Sequence, residues 1–559
     1  MNYDMIIQNC KVYNSFTKSF VNTNVAIKNG VFVHVEKNLM SDNTNVVDGK
    51  GKYMIPGLVD IHMHIESSMS IPSRFSDAVL THGTTSVVAD PHEIANVFGR
   101  EGILSFLSQD TLLDIFYGIP SSVPSTNSNL ETTGGMIGIE EVKELLMNKK
   151  IVCLGEVMNF YDVSYEPQSL SAKIIEICKS LRPMLPLEGH CPKIKGKELS
   201  DFISKGISAD HTHQTKESVI EKITNGMFLE IQRKSMTQEV LDTLMEHNFY
   251  EYFCFVTDDV MADHLRYGHL NTLVQKAIEM GMKPEMAIYC ATFTPARRMH
   301  LEDRGAIVPG RIADFILLDD INKFHITDVY KNGQKVIKKE NEMKKQFPKH
   351  FYHSIQCREA ERKDFEINLN GTSALCNIME IEPHSTFTKH LQKWLPIKNG
   401  VLDLENYALL AVYERYGKNG NIAHGIVGNT IKKKGAIATS WAHDHHNVMV
   451  LGNDVDDMVL AQKEIIKMQG GYVVVKEHKI IARAALEVGG IVSERSIEEI
   501  GKDIDNVRKA MQELGYEHDN EIMSFSTLSL LVSPQLKMSD KGMIDTTKQE
   551  IIKMVEEIR

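Results

Sequence analysis

The stretch Pro56-Gly57-Leu58-Val59-Asp60-Ile61-His62-Met63-His64-Ile65-Glu66-Ser67-Ser68 reads as a buried strand that ends in two histidines separated by one residue. Side chains alternate along a strand with period two, so His62 and His64 face one way while Val59, Ile61, Met63 and Ile65 face the other. Two imidazoles on one face of a strand end make a two-nitrogen claw. A histidine pair of this kind is also a common packing feature, so its meaning depends on what ends the other apolar runs of the chain.

From about 56 to 302, apolar strand-like runs at 58–64, 84–90, 112–119, 150–156, 183–190, 206–211, 227–232 and 251–258 alternate with helix-period segments. Ile139-Glu140-Glu141-Val142-Lys143-Glu144-Leu145-Leu146 is one such segment, with apolar residues three or four apart. Eight units in this span match a closed (β/α)₈ barrel of ~250 residues. The competitor is an open doubly wound sheet, but no Gly-x-Gly-x-x-Gly turn follows a strand.

At 559 residues the chain is too long for one core. Residues 1–55 are β-rich with Asn-Gly and Gly-Lys-Gly turns, and 303–350 have the same grammar, so both flanks are expected to build one small β-sandwich around the barrel at 56–302. From 351 to 559 the character shifts to a mixed α/β domain, opened by the charged run Arg358-Glu359-Ala360-Glu361-Arg362-Lys363-Asp364. That domain is expected to cover the site or to support an oligomer interface.

A net charge of −12 without a long basic run argues against nucleic acid as a partner. No apolar run reaches the ~18 residues of a membrane helix, and the start lacks a signal-peptide pattern, so a cytoplasmic protein without a membrane partner is expected. Eight scattered cysteines without a Cys-x-x-Cys pair fit reduced, buried thiols.

Barrel enzymes place their functional groups at the C-terminal ends of the strands. Six of the eight expected strand ends carry ionisable, ligand-type residues: His62 and His64; Asp90-Pro91-His92-Glu93; Glu156; Glu188-Gly189-His190; Asp210-His211; and Asp258-Asp259. Four histidines and two carboxylates exceed the needs of one tetrahedral ion and suit two divalent ions sharing an oxygen ligand. Glu156, the carboxylate ending the fourth strand, lies midway between the His62/His64 and His190/His211 sides and is the expected bridge.

With Pro-Gly-Leu-Val-Asp-x-His-x-His, the later histidines, the strand-eight aspartate and the closing Thr294-Pro295-Ala296 and Gly305-Ala306-Ile307-Val308-Pro309-Gly310-Arg311-Ile312-Ala313-Asp314, the chain resembles the amidohydrolase superfamily. Within it, His62 to Met69 and Asp90-Pro91-His92-Glu93 are similar to the bacterial adenine deaminase family, and Ala442-His443-Asp444-His445-His446-Asn447 looks like that family's C-terminal signature. The resemblance implies one metal on His62, His64, Glu156 and Asp258 and another on Glu156, His190 and His211. It implies manganese or iron, with zinc possible, in a homo-oligomer acting on a small purine base. Two segments depart from the family pattern: Asp210-His211-Thr212 stands for Asp-His-Glu, and Gln232-Arg233-Lys234-Ser235 for Arg-Glu-Gly-Ser.

The expected reaction is hydrolytic deamination of adenine to hypoxanthine and ammonia by a metal-bound hydroxide, with Asp258 moving the proton and Asp90, His92 and Glu93 contacting the purine. Glu188 and Asp259 are open between orienting a metal ligand and plain hydrogen bonding, and His443 and His446 between lining the site mouth and tying down a turn. The alternatives are an amidohydrolase for another heterocycle and a non-enzymatic barrel. His64-Ile65-Glu66 satisfies the His-x-Glu of the compact base-flipping zinc deaminases, but the Pro-Cys-x-x-Cys they also need is missing.

Overall fold

Leu58–Met63 is apolar along most of its length and buried at all six residues, which is what a parallel strand covered on both faces requires. In the computed structural model, which describes residues 2–39, 44–337 and 346–559, this strand (β1) opens a run of eight parallel barrel strands. The others are Thr84–Ala89 (β2), Asp114–Ile119 (β3), Ile151–Val157 (β4), Leu187–Gly189 (β5), Ala209–Asp210 (β6), Phe228–Ile231 (β7) and Phe253–Phe255 (β8).

β1 to β5 pair in chain order, and β6 to β8 form a second run. The runs meet on both sides. Ser208 N donates to Leu187 O at 2.9 Å, while Met63 bridges Asp258 in parallel and Asp258 N donates to His62 O at 3.1 Å. The sheet therefore closes into the (β/α)₈ barrel, and β8 delivers Asp258 beside the histidines of β1.

The late strands are shorter than their apolar runs. Pro183 and Pro186 each lack an N–H, so the run 183–190 supports only Leu187–Gly189. After Ala209–Asp210 the Asp210 carboxylate takes over the pairing, accepting from Cys191 N at 3.0 Å and pairing with Lys222 Nζ at 2.6 Å.

Strands from both flanks lie in one sheet. Tyr53–Pro56, which leads into β1, runs antiparallel to Phe315–Asp320, which follows the barrel. Residues 1, 40–43 and 338–345 of the expected flanking sheet lie outside the described residues. Seven of the eight cysteines are buried, and all are free thiols.

The region after 350 is built on a sheet from Ser373–Ile381 through Lys479–Ala485, with Val455–Met468 and Ile497–Glu513 packed against it. Its core is continuous with that of the barrel: Phe75, Val79, Ile94 and Phe106 belong to the same apolar cluster as Trp441, Tyr472, Val488, Ile500 and Met538. Polar contacts fix the docking. Ser493 N donates to Met69 O at 2.9 Å, Ile71 N to Ser493 O at 3.2 Å, and Lys418 Nζ to Thr133 O at 2.7 Å.

Each large apolar side chain of that shared cluster stabilises the fold by ~1.5–3 kcal/mol when buried. A fragment ending at residue 350 would expose the barrel half of it. Size-exclusion chromatography of such a fragment is expected to show aggregates without turnover, and a monodisperse, fully active fragment would contradict the shared core.

Candidate metal centre

The period-two reading of β1 holds in three dimensions, with one addition. Asp60 shares the face of His62 and His64, is fully buried, and accepts from Thr257 Oγ1 at 2.6 Å and Thr257 N at 3.2 Å. It thereby fixes the start of the segment carrying Asp258. Burial pushes the Asp60 carboxyl up to about 7 against the hydrogen bonds from Thr257. The alternation that placed the histidines also marked Asp60, whose setting in an apolar run disguised it.

Glu156 lies at the middle of the cluster, and its two oxygens face different groups. Oε1 is 3.5 Å from His64 Nε2, whereas Oε2 is 2.8 Å from His190 Nδ1 and 3.2 Å from His211 Nε2. Asp258 Oδ1 lies 3.5 Å from His64 Nε2 and 3.7 Å from His62 Nε2. The His62 and His211 rings stack at 3.8 Å. His62, His64 and Glu156 form one set of mutually close donor atoms, and Glu156, His190 and His211 form another.

Burial works to raise the Glu156 carboxyl, but the charge of His211 and the hydrogen bonds from His190 and His211 outweigh it and hold the group well below the usual carboxylate range. Asp258 is also lowered, by His64 and the neighbouring positive charges acting against burial. His62 is lowered as well, which for an imidazole means neutral: burial and the charge of His211 keep it uncharged, and its Nε2 has no hydrogen-bond partner. A neutral, buried, unpartnered imidazole nitrogen beside two carboxylates is the donor set a divalent cation needs.

Asp90 sits behind Glu156. Its Oδ2 accepts from the Glu156 backbone N at 2.8 Å, an approach that works because residue 155 is glycine; a Cβ there would stand 2.2 Å from that oxygen. His92 is 3.8 Å from Glu156 Oε1 through Nδ1 and 3.5 Å from Glu93 Oε1 through Nε2. Asp259 accepts from Ser67 Oγ at 2.5 Å, and Glu188 pairs with Arg298 Nη2 at 2.7 Å. The departure at 232 has a structural place: Gln232 Nε2 donates to His211 O at 2.9 Å and holds the loop that presents that histidine.

The two histidines left open by the sequence both reach the site. His443 Nε2 is 2.8 Å from Glu93 Oε1, and His446 Nε2 contacts Glu93 Oε2. Glu93 is buried, which works to raise it, yet His443, His446 and His92 together hold it well below the carboxylate range. His443 is raised, burial being outweighed by Glu93, whereas burial lowers His446 to about 4. Glu93 is thus a carboxylate that faces His443, whose protonated form it favours, and a neutral His446, whose Nδ1 accepts from Ala442 N at 3.2 Å.

His92, Glu93 and His443 line a cavity of about 380 Å³. The barrel supplies its floor, with His64, Glu156, His190, His211 and Asp258. The C-terminal region supplies the opposite wall, with Thr386, Phe387, Asp444, Leu530 and Val532. Of these wall residues, Thr386, Phe387, Leu530 and Val532 were not singled out in the sequence, because nothing local marks residues that meet a barrel only after docking.

Residues 53–336 match the amidohydrolase family, and residues 385–550 match the adenine deaminase C-terminal domain. An adenine deaminase of Clostridium perfringens (strain 13 / Type A) is 51% identical over 570 residues, covering 99% of each chain. Adenine deaminase 2 of Oenococcus oeni is 48% identical over 99% of this chain and 98% of its own, and an adenine deaminase of Lysinibacillus sphaericus is 35% identical over 97% and 95%.

The Glu93 clamp has a defined pH signature. A carboxyl lowered in the folded state stabilises fully above the unfolded value of ~4.3 and loses that contribution as pH falls through the folded value. A histidine raised in the folded state stabilises fully below ~6.5 and loses its contribution as pH rises through the folded value. Glu93→Gln should therefore cost most, ~3 kcal/mol, between about pH 5 and 6, with the difference from the parent shrinking on both sides. Urea midpoints of parent and variant from pH 4 to 9 check this; a difference constant over the range would contradict the clamp.

Proposed function

Since the chain belongs to the adenine deaminase family of amidohydrolases, it hydrolyses adenine to hypoxanthine and ammonia, and we propose that it does so with two divalent ions bridged by Glu156. The observation that carries the two-ion reading is the division of the Glu156 oxygens, Oε1 toward the β1 histidine and Oε2 toward His190 and His211. His62, His64 and Asp258 would complete one site, and His190 and His211 the other. Their mixed nitrogen and carboxylate donors suit manganese or iron and also accommodate zinc.

Such ions supply Lewis acidity, which brings the pKa of water from 15.7 to about 7. The residues do the rest. Asp258, ionised and held beside His62 and His64, takes the proton of the attacking water and hands it to the departing amine. Water adds at carbon 6, the C–N bond to the amine breaks, and ammonia leaves. His92 and Glu93, on the cavity wall, contact the purine ring. Asp90, read from the sequence as a purine contact, acts through the Glu156 amide that it holds. The C-terminal wall narrows the mouth and limits bulk water, which strengthens every charge interaction inside.

Glu156→Gln weakens a ligand to both ions, so elemental analysis should find both reduced. Asp258→Asn keeps an oxygen ligand but removes the proton acceptor, so it should retain much of the metal while turnover falls ~10²–10⁴-fold. A near-parent rate for Asp258→Asn would remove its proton-transfer role. Ammonia release from adenine, adenosine, guanine, cytosine and dihydroorotate, with manganese- and iron-loaded protein, is expected to single out adenine. A buried polar pocket rejects ligands that leave its groups unpaired by ~10⁴ or more, and turnover of another heterocycle without adenine would overturn the assignment.

A further inference from the structure

Asp444 reaches the cavity from the C-terminal region and is 2% exposed, yet its Oδ2 has no hydrogen-bond partner. Its backbone setting is firmly held. His443 Nδ1 lies 2.6 Å from Ser526 Oγ, and Ser529 Oγ donates to His443 O at 2.7 Å. A carboxyl that is buried, fixed and unpartnered on the wall of a binding cavity is poised for a donor on the ligand, because leaving it unpaired under a bound molecule is costly.

Its position relative to the metal centre follows from a line of contacts. From Glu156 the line runs to His92 at 3.8 Å, to Glu93 at 3.5 Å and to His443 at 2.8 Å, with Asp444 next in the chain. Asp444 therefore lines the same cavity as the ligand cluster, on the part of the wall that the C-terminal region supplies, with His92, Glu93 and His443 linking it to Glu156. A purine whose amine-bearing carbon lies at the metal centre extends its five-membered ring away from that centre. Free adenine carries an N–H on that ring; in a nucleoside the sugar replaces it.

Resting on the adenine deaminase reading, we propose that Asp444 is a specificity-determining residue that accepts the five-membered-ring N–H of the free base and so discriminates against 9-substituted purines. Burial and the negative charge of Glu93 push its carboxyl up to about 7. A ligand N–H favours the ionised form again, so the base repairs the deficit that its own binding would deepen. A 9-substituted purine brings a carbon where the acceptor needs a proton.

The test compares kcat/KM on adenine and 9-methyladenine for the parent, Asp444→Asn and Asp444→Ala, each as metal-loaded full-length protein with metal content and Tm recorded. Asp444→Ala is expected to lose about 10- to 100-fold on adenine, mainly in KM. On 9-methyladenine it should stay unchanged or improve, so the preference for adenine narrows by that factor. Asp444→Asn, which keeps a neutral acceptor, should fall between, and it decides the matter if the alanine variant does not fold. An unchanged preference, or equal losses on both substrates, overturns the Asp444 role while parent turnover of adenine stands. A parent inert on adenine overturns the deaminase reading and this proposal together.

Discussion

The carboxylate of Glu156 shapes the whole barrel mouth, because a buried charge is tolerated only where opposite charges and donors surround it. His64, His190 and His211 crowd its oxygens at 2.8 to 3.5 Å. Asp90 holds its backbone, and Gly155 makes room for Asp90 to do so. Around this group the strand ends are brought into register: Asp60 on β1 captures Thr257 and with it the segment that presents Asp258. The chain accepts a cluster of buried, mutually close ionisable groups here because divalent ions would compensate it.

The second dependence runs between domains. Glu93 sits on the barrel at the start of the helix His92–Leu107, and its carboxylate is taken by His443 and His446, about 350 residues later in the chain. This buried ion pair is flanked in the chain by Ile94 and Ala442, both members of the apolar core that the two regions share. The C-terminal domain is therefore part of the active cavity, contributing Phe387, Leu530 and the unpartnered Asp444 to its wall.

Much of this was legible from the sequence where the signal is local. Period-two alternation put His62 and His64 on one face, and the ends of later apolar runs named Glu156, His190, His211 and Asp258, which the fold does bring together. Strand lengths were less legible, because Pro183 and Pro186 remove ladder donors without breaking the apolar pattern. Asp90 was identified as a site residue but not as a partner of the Glu156 amide, a contact that depends on the gap left by Gly155. The roles of His443, His446 and Asp444 depend on a contact between distant segments, and no spacing rule carries that information; only the resemblance to a family signature marked the segment.

We propose that one carboxylate, that of Glu156, joins two ions at the end of the barrel. Anomalous X-ray diffraction from crystals of the manganese-loaded protein, collected on either side of the manganese absorption edge, tests it most directly. Two peaks are predicted, separated by ~3.5–4 Å and flanking the Glu156 carboxylate, one against His62, His64 and Asp258 and the other against His190 and His211. A single peak, or a pair in which Glu156 touches neither or only one, would rule out the Glu156 bridge.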